Sequence, residues 1–167
     1  GNEGWDDVAT YVQEAEHVFF QHIRRGAERA GRSLADLDLQ AGGAVEFTDD
    51  VDKAVARHRP GIAFTLGAMG SREHNFYNAA FQRAGYEEEA RAVQRKWLEG
   101  DRRGAAELVP DEMVLKVNML GTPEMVRQRM QAYRDAGVTT LRLDPRGASL
   151  RERLETLGRA VELARSL

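Results

Sequence analysis

The chain has 167 residues, 42% of them hydrophobic and 31% charged, with a formal net charge of −3. That length and balance fit one globular domain, or part of a larger one, with enough chain to bury a substantial core. The negative net charge argues against a general nucleic-acid binder, the absence of cysteine excludes disulfides, thiolate metal sites and a thiol nucleophile, and no apolar run approaches the ~20 residues of a membrane span. No secretory leader is recognisable, so the expected location is cytoplasmic. Gly1 stands without a methionine before it, which reads as a tag remnant or the cut edge of a longer chain.

Asp6 to Ala30 carries Val8, Tyr11, Val12, Ala15, Val18, Phe19, Ile23 and Ala27 at three- and four-residue steps, which predicts a long helix stopped by Gly31. His17 and His22 lie five apart and share no helix face, so they read as rim histidines rather than a metal clamp. Leu37 to Phe47 alternates and is the first predicted strand; Gly42 and Gly43 within it suggest a bulge or a close backbone approach. Thr48, Asp49 and Asp50 are helix-start residues, and Val51 to Leu66 follows as a helix that Pro60 and Gly61 are expected to kink or divide. Gly67 to Gly85 is the densest polar stretch. Ser71 offers an N-cap there, Gly85 a stop, and Arg72, His74, Asn75, Tyr77 and Asn78 lie between. It reads either as a capped surface helix packing through Phe76, Ala80 and Phe81, or as a recognition site for an anionic ligand at a helix N-terminus.

Tyr86 to Leu98 is predicted helical with Ala90, Val93, Trp97 and Leu98 inward. Asp101 caps a short helix to Leu108, and Pro110 with Asp111 opens another through Val117, completing a helical block over 51–118. Gly121-Thr122-Pro123-Glu124 is the clearest helix start, and that helix runs to Ala136 with Val126, Met130, Tyr133 and Ala136 inward. Val138 to Leu143 is the second predicted strand. Ser149 and Glu152 form a capping box for a last helix over 150–166 whose stripe is Leu150, Leu154, Leu157, Val161 and Ala164. Strand, helix and strand in that order imply an α/β fold with a parallel sheet. Two strands alone leave two open edges, so the chain either pairs with something else or belongs to a bigger α/β unit.

The stretch Gly-Ala-Met-Gly-Ser-Arg-Glu-His-Asn-Phe-Tyr-Asn at 67–78 resembles one common in luciferase-like monooxygenases. So do the tract from Gly85-Tyr86-Glu87 through Trp97-Leu98-Glu99-Gly100, Val109-Pro110-Asp111-Glu112, Leu120-Gly121-Thr122-Pro123, and Ala136-Gly137-Val138-Thr139-Thr140-Leu141. The branch meant is that of the (β/α)8-barrel oxidoreductases dependent on flavin or coenzyme F420. The resemblance covers nearly the whole chain and implies the C-terminal half of such a TIM-like barrel as one incomplete domain. Its parts are helix six, strand seven at 37–47, a helical insertion at 51–118, helix seven at 123–136, strand eight at 138–143 and helix eight.

Loops after the C-terminal ends of barrel strands build the active site. The resemblance therefore sets the insertion on the catalytic face, with Gly70, Ser71 and Arg72 expected to bind cofactor and His74 and Asn75 to bind substrate. The implied cofactor is reduced F420 or FMN, which supplies the hydride-transfer or oxygen chemistry while the protein binds and orients it. In the family much of the ring-binding surface comes from earlier strands, so no catalytic residue is assigned, and no metal is expected. The implied function is the C-terminal part of an oxidoreductase of a small organic substrate, inactive alone. The alternative is a non-enzymatic domain that completes a barrel or binds a partner. Beyond the small molecule, the expected partner is a second copy or the missing half barrel, not nucleic acid or membrane. Two further places read two ways: Asp144 to Ser149 as a phosphate site or an ordinary turn, and Glu46 with Asp49 as acid–base groups or part of a helix cap. No P-loop, dinucleotide fingerprint, His-Glu-x-x-His or nucleophile elbow is present.

Overall fold

The computed structural model describes residues 19–71 and 74–167. They divide into two units: the described residues up to Asp49 together with Val117–Leu167, and the segment Asp50–Lys116.

In the first unit, the described part of the opening helix is α1 (Gln21–Arg29). It ends where Gly31, at φ +68°, turns its N–H back to the Glu28 carbonyl. The part of the predicted helix before Phe19, with His17, lies outside the described residues. A 3-10 turn (Leu34–Asp36) leads to the sheet, whose three parallel strands are β1 (Gln40–Phe47), β2 (Met119–Gly121) and β3 (Thr140–Pro145), in the order β2-β1-β3. Two strands were expected; β2 is a third, paired as Val45↔Met119 to Phe47↔Gly121, and its three residues are too few to show any alternation.

β3 lies two residues later than predicted, in register with β1 from Gln40↔Thr140 to Val45↔Pro145. At its start the Asp38 carboxylate accepts from the Thr140 hydroxyl at 2.5 Å and the Gln40 amide at 2.7 Å, bonds that hold it below the usual carboxylate range. The register passes Gly42 and Gly43 without a bulge, so the glycines answer to the other reading, close backbone approach. A Cβ on Gly42 (φ +146°) would sit 1.9 Å from the Arg142 carbonyl oxygen, and one on Gly43 would sit 2.0 Å from that of Val117.

Side chains alternate across the strands. Val45 packs with Met119, Val126, Met130, Tyr133 and Ala160 to form the core, with Leu141 and Leu143 against it. The covering helices are α7 (Pro123–Asp135), on β2 and β1, and α8 (Leu150–Arg165), on β3 and β1. Both start as read from sequence. The Thr122 hydroxyl accepts from the Met125 N–H, with Pro123 in the first turn. The Ser149 hydroxyl accepts from the Glu152 N–H, while the Glu152 carboxylate takes the N–H of Ala148, one residue earlier than a regular capping box. The α8 stripe is only partly used: Leu150 and Leu154 remain 68% and 59% exposed, although the pattern placed them inward.

The second unit is helical: α2 (Val51–Ala68), α3 (Phe76–Arg83), α4 (Glu87–Leu98), α5 (Arg102–Glu107) and α6, which runs from Asp111 to Val117 just past the unit's end. The Asp50 and Asp101 carboxylates cap α2 and α5, each accepting from the N–H three residues on. α2 neither divides nor stops at Pro60 but continues as one helix. α2 and α4 approach closely because Gly67 faces the Trp97 ring; the Arg102 guanidinium stacks 3.9 Å from that ring's centre. Ala90 and Val93 are buried as predicted, but Leu98 is 46% exposed. Among the described residues no helix is long and apolar enough to cross a membrane.

Candidate ligand cleft at the α2–α3 turn

The stretch after α2 folds as a closed loop rather than as the first turn of a helix. Gly70 adopts φ +130°, and a Cβ there would lie 2.4 Å from the His74 carbonyl oxygen, so only glycine fits without a shift. Across the loop the Ser71 N–H donates to the His74 carbonyl at 3.0 Å, and the His74 N–H donates to the Ser71 hydroxyl at 2.9 Å. Ser71 is therefore not the N-cap of α3. That position belongs to Asn75, whose side-chain oxygen accepts from the Asn78 N–H at 3.0 Å. Arg72, expected to bind cofactor, lies outside the described residues.

Asn75 and Asn78 are buried, at 7% and 2% exposure. A buried amide needs partners for both of its ends. Asn75 donates to the carbonyls of Leu66 at 2.8 Å and Thr65 at 3.3 Å. Asn78 donates to Leu66 at 3.1 Å and Ala90 at 2.7 Å, and accepts from the Gln82 amide at 2.6 Å. Together they tie the C-terminal end of α2 to α3 and α4. The polar groups of Asn75, expected to meet substrate, are thus spent on the scaffold, and its position shapes the site rather than contacting through a free amide.

Beside this clamp lies an open cleft of ≈380 Å³, lined by His74, Asn75, Phe76, Asn78, Ala79, Gln82 and Gln94. His74 is exposed at its rim. Phe76 and Tyr77, 66% and 44% exposed, pack edge to face at 5.7 Å next to it. Gln82 and Gln94 did not stand out from the sequence. The four-residue step from Asn78 to Gln82 is a signal that both lie on one face of α3, but Gln94 has no local pattern to mark it. The described lining is one of amides, an imidazole and an aromatic ring, without lysine or arginine. It does not fit the phosphate of a nucleotide-like cofactor, which asks for a cation or a row of backbone N–H donors.

The other candidate places are accounted for by the fold. At the start of α8 the Glu152 N–H is taken by the Ser149 hydroxyl and the Ala148 N–H by the Glu152 carboxylate, and Asp144 pairs with Arg146 at 3.0 Å, so the turn after β3 already engages its own side chains. Glu46 lies near the end of β1, while Asp50 rather than Asp49 caps α2. Elsewhere in the helical unit the buried Tyr86 hydroxyl donates to Glu112, and the Lys116 ammonium lies 3.4 Å from that carboxylate and 4.9 Å from the ring centre. Burial, and then the bond to Glu112, push the Tyr86 phenol up to about 12, so it stays protonated and acts as a donor. No group of acidic or histidine side chains among the described residues could hold a metal ion.

A parallel sheet covered by helices, with a helical insertion between β1 and β2, defines an α/β fold. A sequence profile of the luciferase-like monooxygenases matches residues 9–140, and the chain belongs to that family. It is 31% identical over 141 residues to a Mycobacterium tuberculosis protein named as a coenzyme F420-dependent oxidoreductase, a match covering 83% of this chain and 40% of that protein. It is 29% identical over 141 residues to the 5,10-methylenetetrahydromethanopterin reductase of Methanopyrus kandleri, covering 83% of this chain and 38% of the relative. The solved structure of the coenzyme F420-dependent tetrahydromethanopterin reductase from Methanopyrus kandleri superposes with a TM-score of 0.64 at 25% identity. That superposition covers 89% of this chain and 41% of the other. The chain thus spans about 40% of the length of the relatives it matches, as expected for part of a TIM-like barrel.

Proposed function

We propose that this chain is the C-terminal part of an oxidoreductase that uses reduced coenzyme F420, rather than FMN, to transfer hydride to a small organic substrate, and that it is inactive alone. The observation that carries the reading is that a relative named for F420 matches along 83% of this chain and a solved F420-dependent reductase along 89%. When bound, such a cofactor supplies the hydride. The residues of this chain bind and orient. The Ser71–His74 loop, held by Gly70, presents the His74 imidazole to the cleft, and the Asn75–Asn78 clamp fixes the cleft's shape. The cleft chemistry suits substrate better than the cofactor phosphate, which leaves Gly70, Ser71 and Arg72 as the proposed cofactor contacts and His74 as the proposed substrate contact. Location in the cytoplasm belongs to the same reading.

The test is a fluorescence titration of the chain with F420 and, separately, with FMN. Saturable binding of F420 that weakens in Ser71→Ala and Arg72→Ala, with the far-ultraviolet spectrum unchanged, is the expected result. Binding of FMN alone overturns the choice of cofactor, and binding of neither overturns the assignment of cofactor contacts to this segment.

A further inference from the structure

We propose that Gln94 is the residue of the α2–α3 cleft that selects its substrate, and that it selects a ring bearing a secondary amide, whose N–H and C=O stand side by side. The inference rests on the reading of this cleft as the substrate contact. All the lining residues belong to the helical unit Asp50–Lys116, so the cleft is formed without the sheet or its open edges.

The hydrogen bonds of the lining single this residue out. Asn75 gives its amide to the Thr65 and Leu66 carbonyls and its oxygen to the Asn78 N–H. Asn78 gives its amide to Leu66 and Ala90 and accepts from Gln82. Gln82 in turn accepts from the Arg91 Nε at 3.3 Å, and Arg91 is held from its other side by Glu87 at 2.7 Å. These three amides are engaged at both ends and form a fixed wall. Two lining side chains keep their polar groups without a partner among the described residues. One is the His74 imidazole, since the bonds of His74 run through its main chain. The other is the amide of Gln94, half-buried one turn beyond Ala90 on α4.

A free carboxamide is a specific reader. Its donor and acceptor lie side by side in one plane, so it makes two parallel bonds with a group that offers acceptor and donor in the complementary order. A lactam does this. A carboxylate offers acceptors alone and an ammonium donors alone, and each leaves one end of Gln94 facing its like. The lining adds no lysine or arginine that would favour an anion instead. A volume of ≈380 Å³ lies at the lower end of ligand pockets, which run from about 300 to 1,000 Å³, and leaves room for one or two rings. Phe76, also in the lining and 66% exposed, offers such a ring a surface to pack on. The His74 imidazole supplies a further hydrogen bond at the rim.

The experiment is a heteronuclear NMR titration of the chain, and of Gln94→Leu and Gln94→Glu, with 2-pyridone and with N-methyl-2-pyridone, which has lost the donor. In the parent, 2-pyridone is expected to shift the Gln94 side-chain amide and the His74 ring signals. It should bind about tenfold more tightly than the N-methyl compound, because the methylated ring leaves the Gln94 oxygen unpaired. Gln94→Leu should bind the two probes alike. Gln94→Glu carries acceptors only and should turn the preference towards 2-aminopyridinium, which offers two adjacent donors. Unchanged helicity by circular dichroism is the folding control for both variants. Equal binding of the two pyridones by the parent, with the His74 signals moving, overturns the role of Gln94 and leaves the cleft as the substrate contact. Discrimination that survives in Gln94→Leu overturns it equally. Silence at both Gln94 and His74 overturns the proposal together with the substrate reading of the cleft, while the choice of cofactor is decided separately by the F420 and FMN titrations.

Discussion

Replacing Asn78 separates two physical effects at one buried position. Its amide donates to the Leu66 and Ala90 carbonyls at 3.1 and 2.7 Å. In Asn78→Ala both carbonyls lose that donor, but Leu66 keeps the Asn75 amide at 2.8 Å and the cavity is small. The expected cost is about 1–3 kcal/mol. Asn78→Asp has the same shape and the opposite chemistry, aiming an acceptor at two acceptors and burying a charge that keeps the Gln82 amide as a donor. Its cost at neutral pH is expected to be larger, about 3–5 kcal/mol. The sign with pH follows. Burial and the facing carbonyls raise the new carboxyl's folded pKa above its unfolded value. The neutral acid, which can donate to one carbonyl, is therefore favoured in the native state. The variant is closest to the parent below the unfolded pKa and loses stability as pH rises through the folded one. Urea unfolding at pH 5 and pH 8, followed by tryptophan fluorescence with circular dichroism, measures both effects. If Asn78→Asp matches the parent at pH 8, costs less than Asn78→Ala, or shows no pH dependence, the assignment of Asn78 as the donor joining α2, α3 and α4 is refuted.

Two glycines of α2 should respond in opposite directions to alanine. At Gly61 a Cβ meets nothing within 4 Å, so Gly61→Ala should stabilise by roughly 0.5–1 kcal/mol through helix propensity. At Gly67 the Cβ would lie 2.1–2.6 Å from three Trp97 atoms, so overpacking of about 1–3 kcal/mol should outweigh that gain; equal melting temperatures for the two variants would contradict the packing. Tyr86 should ionise late in an ultraviolet titration, near its raised value of about 12. Because the folded value lies above the unfolded one, the stability it contributes is complete below pH ~10 and is lost as pH rises towards the folded value; Tyr86→Phe should abolish that late step.

What the sequence disclosed was mainly local chemistry. Thr122 before Pro123, Ser149 before Glu152, and Asp50 and Asp101 each sit within three residues of the N–H they satisfy, so pattern alone finds them. The glycine pair in β1 announced a close approach, but its object, the carbonyls of Arg142 and Val117, comes from distant chain. The choice between Ser71 and Asn75 as cap was not local either. Both residue types cap helices, and Asn75 holds the position while its amide reaches the Thr65 and Leu66 carbonyls. The apolar stripes of α4 and α8 run longer than the surface each helix covers, which leaves Leu98, Leu150 and Leu154 in solvent. β2 was invisible because three residues carry no period, and the cleft because its glutamines converge only after α3 and α4 have packed. The family resemblance, carried by motifs rather than by periodicity, supplied the barrel that two recognisable strands would not have suggested.

The insertion leaves the sheet and returns to it through neighbouring stems. The Thr48 N–H donates to the Gly121 carbonyl at 2.9 Å, and the Asn118 side chain accepts from the Ala44 N–H at 3.1 Å, so the chain on either side of Asp50–Lys116 is already stitched together. Joining ends held this close costs loop entropy that rises only slowly with length. A segment mounted in this way is exchangeable. Lengthened, shortened or replaced between Thr48 and Asn118, it can change while the three strands keep their register.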